Sequence, residues 1–418
     1  MRISLAYGRH GLPVELPPGT EVVEPERALG LPDESNALRT ALRAPRGARP
    51  LRNLARPSDR VTIVVPDSTR PAPTRRVLPA VLAELDGIPS ERITILIATG
   101  LHRAARSDEV DALLGAEVVR RYGIVCHNAR DDAQLVDLGA TASGRPVLVN
   151  RTYMQADVRI TVGLVEPHFF AGFSGGAKLI LPGVAGAASV LRNHDAELIG
   201  HPQARWGARA GNPIFTEQRE AARRAGCEFS VNVLVNADRQ ITAVFAGALE
   251  AAHDAACDEA LRVAMRPVAA PYDVVVTSNS GYPLDLNLYQ AVKGMSAASA
   301  IVRPGGHIVI AAECSEGAGH GDFAAMLHEH ASPAEMLRAI QASGHVRPDQ
   351  WQNQVFAQIL QRATVHVFAG GLSHLEIEAA HCRPCPDVST RVRALAQNGA
   401  RVCALPRGPE TIPYVRAA

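Results

Sequence analysis

A chain of 418 residues is too long for one ordinary core, so two domains are expected. Its 47% hydrophobic and 20% charged residues mark a globular protein rather than a disordered one. A net charge of +1 and 4% aromatic residues exclude a bulk electrostatic footprint or a base-stacking platform for nucleic acid.

The Arg runs at 39–52 and 219–224 read as solvated surface. No apolar stretch reaches the roughly 18 residues of a membrane span. The opening Met1-Arg-Ile-Ser-Leu-Ala-Tyr-Gly8 has no signal-peptide core, so the cytoplasm is the expected location and no membrane partner is expected. Seven cysteines in so long a chain do not suggest a disulfide framework. Cys382-Arg-Pro-Cys385 beside His381 lacks a second pair at zinc spacing, so neither a metal nor a redox role is expected of it.

Strand-like and helix-like segments alternate. Val61–Pro66 is a predicted strand, followed by a helical pattern from Thr74 to Leu85. Ile93–Ala98 is a second strand, with a helix from Ser107 to Arg121. Ile124–His127, Pro146–Asn150 and Val158–Val165 are further strands. Continuous Val/Ile runs suit strands covered on both faces, as in α/β folds. Phe229–Val235 and Thr242–Ala246 form a predicted pair around the turn Asn236-Ala-Asp-Arg239. A break falls at Arg266-Pro-Val-Ala-Ala-Pro271. Alternation then restarts with strands at Asp273–Thr277, His307–Ala312, Val365–Phe368 and Arg401–Leu405. The intervening helices are Leu288–Ala300, Pro333–Ala342, Gln352–Arg362 and Thr390–Asn398. The expected fold class is therefore α/β, with two α/β domains at 1–267 and 268–418 and the active site in the cleft between them.

Ligands of open α/β sheets bind at the carboxyl ends of strands. Four polar clusters stand there: Asp67-Ser-Thr-Arg70, Thr99-Gly-Leu-His-Arg103, Glu166-Pro-His168 and Ser278-Asn-Ser-Gly-Tyr-Pro283. The third opens the run Glu166–Gly183, which adds an anion-friendly Ser174-Gly175-Gly176 turn and Lys178. Glycine lets backbone N–H groups converge on an anion at such turns. A lysine there is either a charge clamp or, in an apolar pocket, a nucleophile or covalent tether. The spacing is not that of a Walker motif. Arg70 suits bidentate capture of a carboxylate, with Asp67 to orient it. His102 and His168 suit acid/base work near neutral pH. His194 is a candidate metal ligand, with a helix-surface histidine as the plainer alternative. Gln290 and Lys293, three apart, share a helix face.

Taken together, DSTRPAP (Asp67–Pro73), TGLHR (Thr99–Arg103), EPHFFAGFSGGAKLILPG (Glu166–Gly183), NHD (Asn193–Asp195) and GYPLDLNLYQAVKG (Gly281–Gly294) resemble the lactate racemase family. Weaker similarity continues through Gly305-Gly-His-Ile308 and Glu313–Gly317 to Asp349-Gln-Trp351 and Thr411-Ile-Pro413. The resemblance implies a nickel-pincer nucleotide, a pyridinium-based mononucleotide with thioamide and thiocarboxylate arms. Lys178 would tether it and His194 would be the protein ligand to nickel. His102 and His168 would exchange protons with the substrate hydroxyl. Arg70 and Lys293 would bind the substrate carboxylate, with Asp67, Tyr289 and Gln290 lining the pocket and Trp351 covering it. Ser174, Gly175 and Gly176 would lie in the cofactor's phosphate environment. The implied partners are a small 2-hydroxy acid and the proteins that build the cofactor; no oligomeric state is implied.

The chemistry is coherent. The Cα–H of a 2-hydroxy acid is too weakly acidic for a histidine to remove. Its departure as hydride, with a base taking the hydroxyl proton, gives a planar 2-oxo acid that can be reduced from either face. No side chain stores a hydride, so a cofactor must. Ser68 stands where some lactate-specific relatives carry a second arginine, so the expected substrate is a 2-hydroxy acid rather than lactate in particular. Two rival functions are weighed. A nicotinamide-dependent hydroxy-acid dehydrogenase is disfavoured because no Gly-x-Gly-x-x-Gly follows a strand with an acidic residue about 20 positions on. A non-catalytic nickel- or cofactor-binding protein would need no clamp for a substrate carboxylate.

Overall fold

A computed structural model describes residues 1–69, 71–319 and 321–416. Arg70, the expected carboxylate ligand, lies outside them. The chain divides into two compact units. The first holds Arg27–His194 and Pro202–Val263; the second holds Met1–Glu26, Asp195–His201 and the chain from Ala264 onward. The expected domains were 1–267 and 268–418; the compact units instead change over at Ala264, and residues 1–26 and 195–201 go with the C-terminal part.

In the first unit the Val/Ile runs form a six-stranded sheet. Its order is Ile241–Gly247, Phe229–Val235, Val158–Leu164, Val61–Pro66, Ile93–Ala98, Gly123–Cys126. Every neighbouring pair is parallel except the edge hairpin 229–235/241–247, whose antiparallel pairing the short predicted turn required. All six residues of Val61–Pro66 are buried, as a strand covered on both faces demands. One face packs on Val77, Leu78 and Val81 of the helix Thr74–Ala83, with Leu38 and Leu42 of Glu34–Arg43. The other packs on Ala177, Leu179, Ile180 and Val184 and on Ala221, Ala222 and Ala225. The chain runs from 61–66 outward through 93–98 to 123–126, then returns to 158–164 on the opposite side. The switch point falls between 61–66 and 158–164, so Asp67 and the Glu166–Lys178 run leave the sheet at its ligand-binding edge.

The single helix expected over Ser107–Arg121 is two, Ser107–Leu114 and Ala116–Arg121. Gly115 between them has φ +86°, a left-handed conformation that ends a helix.

The second unit carries its own six-stranded parallel sheet, ordered Arg383–Pro384, Ala363–Phe368, Val302–Ala311, Tyr272–Ser278, Val402–Leu405, Glu21–Val22. The last pairing is what ties the N-terminal residues to this unit. The segment read as a break is in part a strand: Met265–Val268 pairs with Ile412–Val415, with Pro267 tolerated because this two-stranded sheet is all edge. Among the described residues no helix is long and apolar enough to cross a membrane.

Candidate active site

Asp67 and His102 leave adjacent strands of the first sheet and meet: Asp67 Oδ2 lies 2.8 Å from His102 Nδ1. Asp67 Oδ1 accepts from the Thr69 hydroxyl at 2.6 Å and from Thr69 N at 3.3 Å. With Nδ1–H donated to a 7% exposed carboxylate, a neutral His102 keeps its lone pair on Nε2. The imidazole itself is half-exposed. Its loop is anchored from below. Thr99 Oγ1 donates to His127 O at 2.6 Å, and Gly100 N donates to Gly183 O at 2.9 Å. Buried His127 is itself held between Ala185 O and the Asn150 carboxamide, and burial keeps its pKa below the ordinary value.

His168 follows the strand Val158–Leu164 and is buried. Its Nδ1 accepts from Ala171 N at 3.2 Å. A neutral His168 therefore carries its proton on Nε2, the reverse of His102. Phe169 stacks on the ring with centroids 4.9 Å apart, and Phe170 meets it edge-on at 4.5 Å. Phe170 also meets the His194 ring edge-on, at 5.2 Å. One phenyl ring thus fixes both imidazoles.

The Ser174–Lys178 loop is packed rather than open. Ser174 N donates to Glu166 O, and its hydroxyl donates to Leu164 O at 2.8 Å while accepting from Glu166 N at 3.0 Å. Gly176 N donates to Asn232 Oδ1 at 3.1 Å, and Lys178 N to Gly175 O at 3.0 Å. The amides of Ser174, Gly176 and Lys178 are thus used within the fold, which makes the loop a mount for Lys178. Gly175 and Gly176 have φ of +72° and +48°. A Cβ on Gly176 would sit 2.3 Å from the His253 ring. The strand below makes room by lacking a side chain of its own: a Cβ on Gly163 would lie 2.9 Å from Leu179 Cδ1.

His253, on the helix Leu249–Ala264, donates from Nε2 to Ser174 O at 2.9 Å and stacks on Phe215. Burial pushes its pKa from 6.5 down to about 4, against the pull of that hydrogen bond. Folded His253 thus binds fewer protons than the unfolded chain does between these values. Stability is therefore fully present above about pH 6.5 and falls as the pH drops toward about 4. Denaturant unfolding across this window reads the effect, and His253→Gln should flatten that limb.

His194 ends the helix Ala187–Asn193 and is 4% exposed. Nδ1 donates to Val190 O at 3.0 Å, which directs the Nε2 lone pair away from the helix. Burial, reinforced by the Lys178 charge, pushes its pKa down to about 3, so the ring stays neutral at working pH. Neutral imidazole with one nitrogen held by a carbonyl is the form that binds metals.

The second unit places Tyr289, Gln290 and Lys293 on the helix Leu288–Ser299, and Trp351 on Gln350–Arg362. Lys293 Nζ donates to Gln290 Oε1 at 2.6 Å, so the predicted shared face is real. Tyr289 OH donates to Asp349 Oδ1 at 3.2 Å, its carbonyl accepts from the Gln352 amide, and Trp351 is buried.

Sequence reading missed the supports: His127, Asn150, Asn232 and His253. His127 and Asn150 carried a signal, each as a polar residue ending a predicted strand. Asn232 alternates with buried valines and His253 lies in an ordinary amphipathic helix, so neither stands out without the fold.

Comparison with known proteins supplies the family. The lactate racemase N-terminal domain family matches residues 7–207, and the lactate racemase C-terminal domain family matches 268–412. A lactate racemase of Thermoanaerobacterium thermosaccharolyticum is 34% identical, over 98% of this chain and 98% of that one. One of Lactiplantibacillus plantarum is 38% identical over 78% of each. The solved lactate racemase apoprotein of T. thermosaccharolyticum superposes with a TM-score of 0.94 over 99% of this chain and 100% of that chain, at 34% identity. A Thermotoga maritima protein shares the fold alone, with a TM-score of 0.70 at 17% identity over 93% of this chain and 100% of that one. Two family domains spanning most of the sequence, and a relative matched end to end, establish that the chain belongs to the lactate racemase family and is an enzyme of the isomerase class.

Proposed function

We propose that this enzyme racemises or 2-epimerises a 2-hydroxy acid using a nickel-pincer nucleotide tethered to Lys178. The observation that carries the cofactor reading is His194: a buried, neutral imidazole with Nδ1 occupied, in the electrostatic reach of Lys178. Among the described residues no three His, Cys, Asp or Glu side chains gather as metal ligands. A metal bound at His194 would then take its remaining ligands from a bound molecule, which fits a pincer that brings its own. When bound, that group supplies the reversible hydride acceptor that no side chain provides.

The protein's part is proton handling and positioning. Asp67 holds His102 so that Nε2 can take the substrate hydroxyl proton. His168 offers Nε2–H to an oxygen; to act as a base there, its proton has to move to Nδ1 and the Ala171 bond has to yield. Asp67, Arg70, Tyr289, Gln290, Lys293 and Trp351 are the proposed substrate-binding groups; the Ser174–Gly176 turn, expected in the cofactor's phosphate environment, has its Ser174 and Gly176 amides used within the fold and is proposed instead as the mount for Lys178. The proteins that build the cofactor are the expected maturation partners.

Intact-protein mass spectrometry with nickel analysis, after co-expression with those proteins, tests the reading. An adduct on Lys178 with about one nickel per chain is expected. A chain that stays unmodified, where a known family member loads in the same host, rejects it. Asp67→Asn should lower kcat about tenfold or more, by releasing the His102 ring, with little change in melting temperature. Unchanged turnover would remove Asp67 from the acid/base machinery.

A further inference from the structure

Asn193 precedes His194 at the end of its helix and is 1% exposed. Neither its Oδ1 nor its Nδ2 has a hydrogen-bond partner among the described residues. Among the described residues it is the one buried carboxamide unpaired at both ends. The other buried asparagines of this unit are engaged. Asn150 accepts from Thr152 N and bonds His127, Asn212 donates to Phe170 O and Ala208 O, and Asn232 accepts from Gly176 N and donates to Ser230 Oγ. Burying a carboxamide without partners is costly, and folded proteins resolve it with a group from outside the chain.

We propose that Asn193 is a cofactor-contacting residue, its carboxamide pairing with a polar group of the molecule held at Lys178 and His194. This rests on the function proposed above. The pair of unmet needs, one donor end and one acceptor end, selects the partner. A sugar hydroxyl both accepts and donates and can satisfy either end. A phosphate dianion would accept from Nδ2 but set negative charge against Oδ1. By donor and acceptor count, a hydroxyl of the nucleotide meets these needs better than its phosphate.

The test exploits a sign. A structural carboxamide destabilises the protein when removed, whereas one unmet in the empty protein does not. Asn193→Leu keeps the volume, and Asn193→Ala guards against a packing fault peculiar to leucine. Each is compared with wild type as unloaded protein, by melting temperature, and as protein loaded by co-expression, by the Lys178 adduct mass and by nickel loss to a chelator. The expected result is an unloaded Asn193→Leu protein melting about 2–4 °C above wild type, with nickel lost about tenfold faster or more in both loaded variants. Nickel retention equal to wild type overturns the proposal, as does a lowered melting temperature in both unloaded variants. Wild type that carries no adduct, where a known family member does, defeats the cofactor reading itself, and the Asn193 proposal falls with it.

Discussion

Lys178→Ala should yield a folded, unmodified protein whose turnover is down by about 10³-fold or more, equivalent to about 4 kcal/mol of transition-state stabilisation. The side chain is only partly buried, on a short turn whose other residues carry the packing, so truncation costs little stability. What it removes is the amine. Lys178→Arg should fail equally, because a guanidinium stays charged and is not acylated, although it restores the positive charge. Chiral analysis of product with intact mass of the same samples checks both. Wild-type turnover in either variant would sink the tethered-cofactor mechanism, and turnover in Lys178→Arg alone would make the residue a simple cation.

Gly176→Ala should cost about 3 kcal/mol or more and abolish loading. Two penalties add. The new Cβ would lie 2.3 Å from the Cγ and Nδ1 of His253, and φ of +48° is unfavourable for any L side chain. The ring has little freedom to retreat, being bonded to Ser174 O and stacked on Phe215. Gly139→Ala is the control: its φ is +79°, yet nothing lies within 4 Å of the added atom, so only the backbone penalty of about 1 kcal/mol remains. Thermal and denaturant unfolding of the two separates packing from backbone. The double change Gly176→Ala with His253→Ala should cost less than the sum of its parts, because the clash is gone. Strict additivity would mean the two residues are not in contact.

What sequence alone reveals follows from range. Val61–Pro66, Ile93–Ala98 and Val158–Leu164 were legible because a strand buried on both faces must be apolar throughout. The strand-end rule then drew attention to Asp67, His102 and His168 before any fold was seen. The Asp67–His102 bond was not legible, since it joins residues 35 apart whose meeting depends on two strands being neighbours. Gly115 was passed over because the apolar pattern continues across it, though its conformation ends the helix. The placement of residues 1–26 depended on Glu21–Val22, a two-residue strand too short to show any period. The family resemblance proposed roles for His194 and Lys178, but not their setting. That Val190 O fixes the ring, and that Asn232 and His253 fix the loop, come from contacts between distant segments.

The Asp67–His102 bond has a consequence for the rate constants themselves. It touches one histidine, so under the function proposed above the two stereoisomers of a substrate would meet unlike partners, one braced by a carboxylate and one by a backbone amide. Yet the ratio of kcat/KM for the forward and reverse directions equals the equilibrium constant of the substrate pair, and is unity for mirror-image molecules in water. No protein, wild type or variant, can change it. The lopsided site can therefore surface only as kcat and KM values that differ between enantiomers in compensating proportion. If His102 serves one enantiomer as proposed, loosening it must still slow both directions by the same factor in kcat/KM.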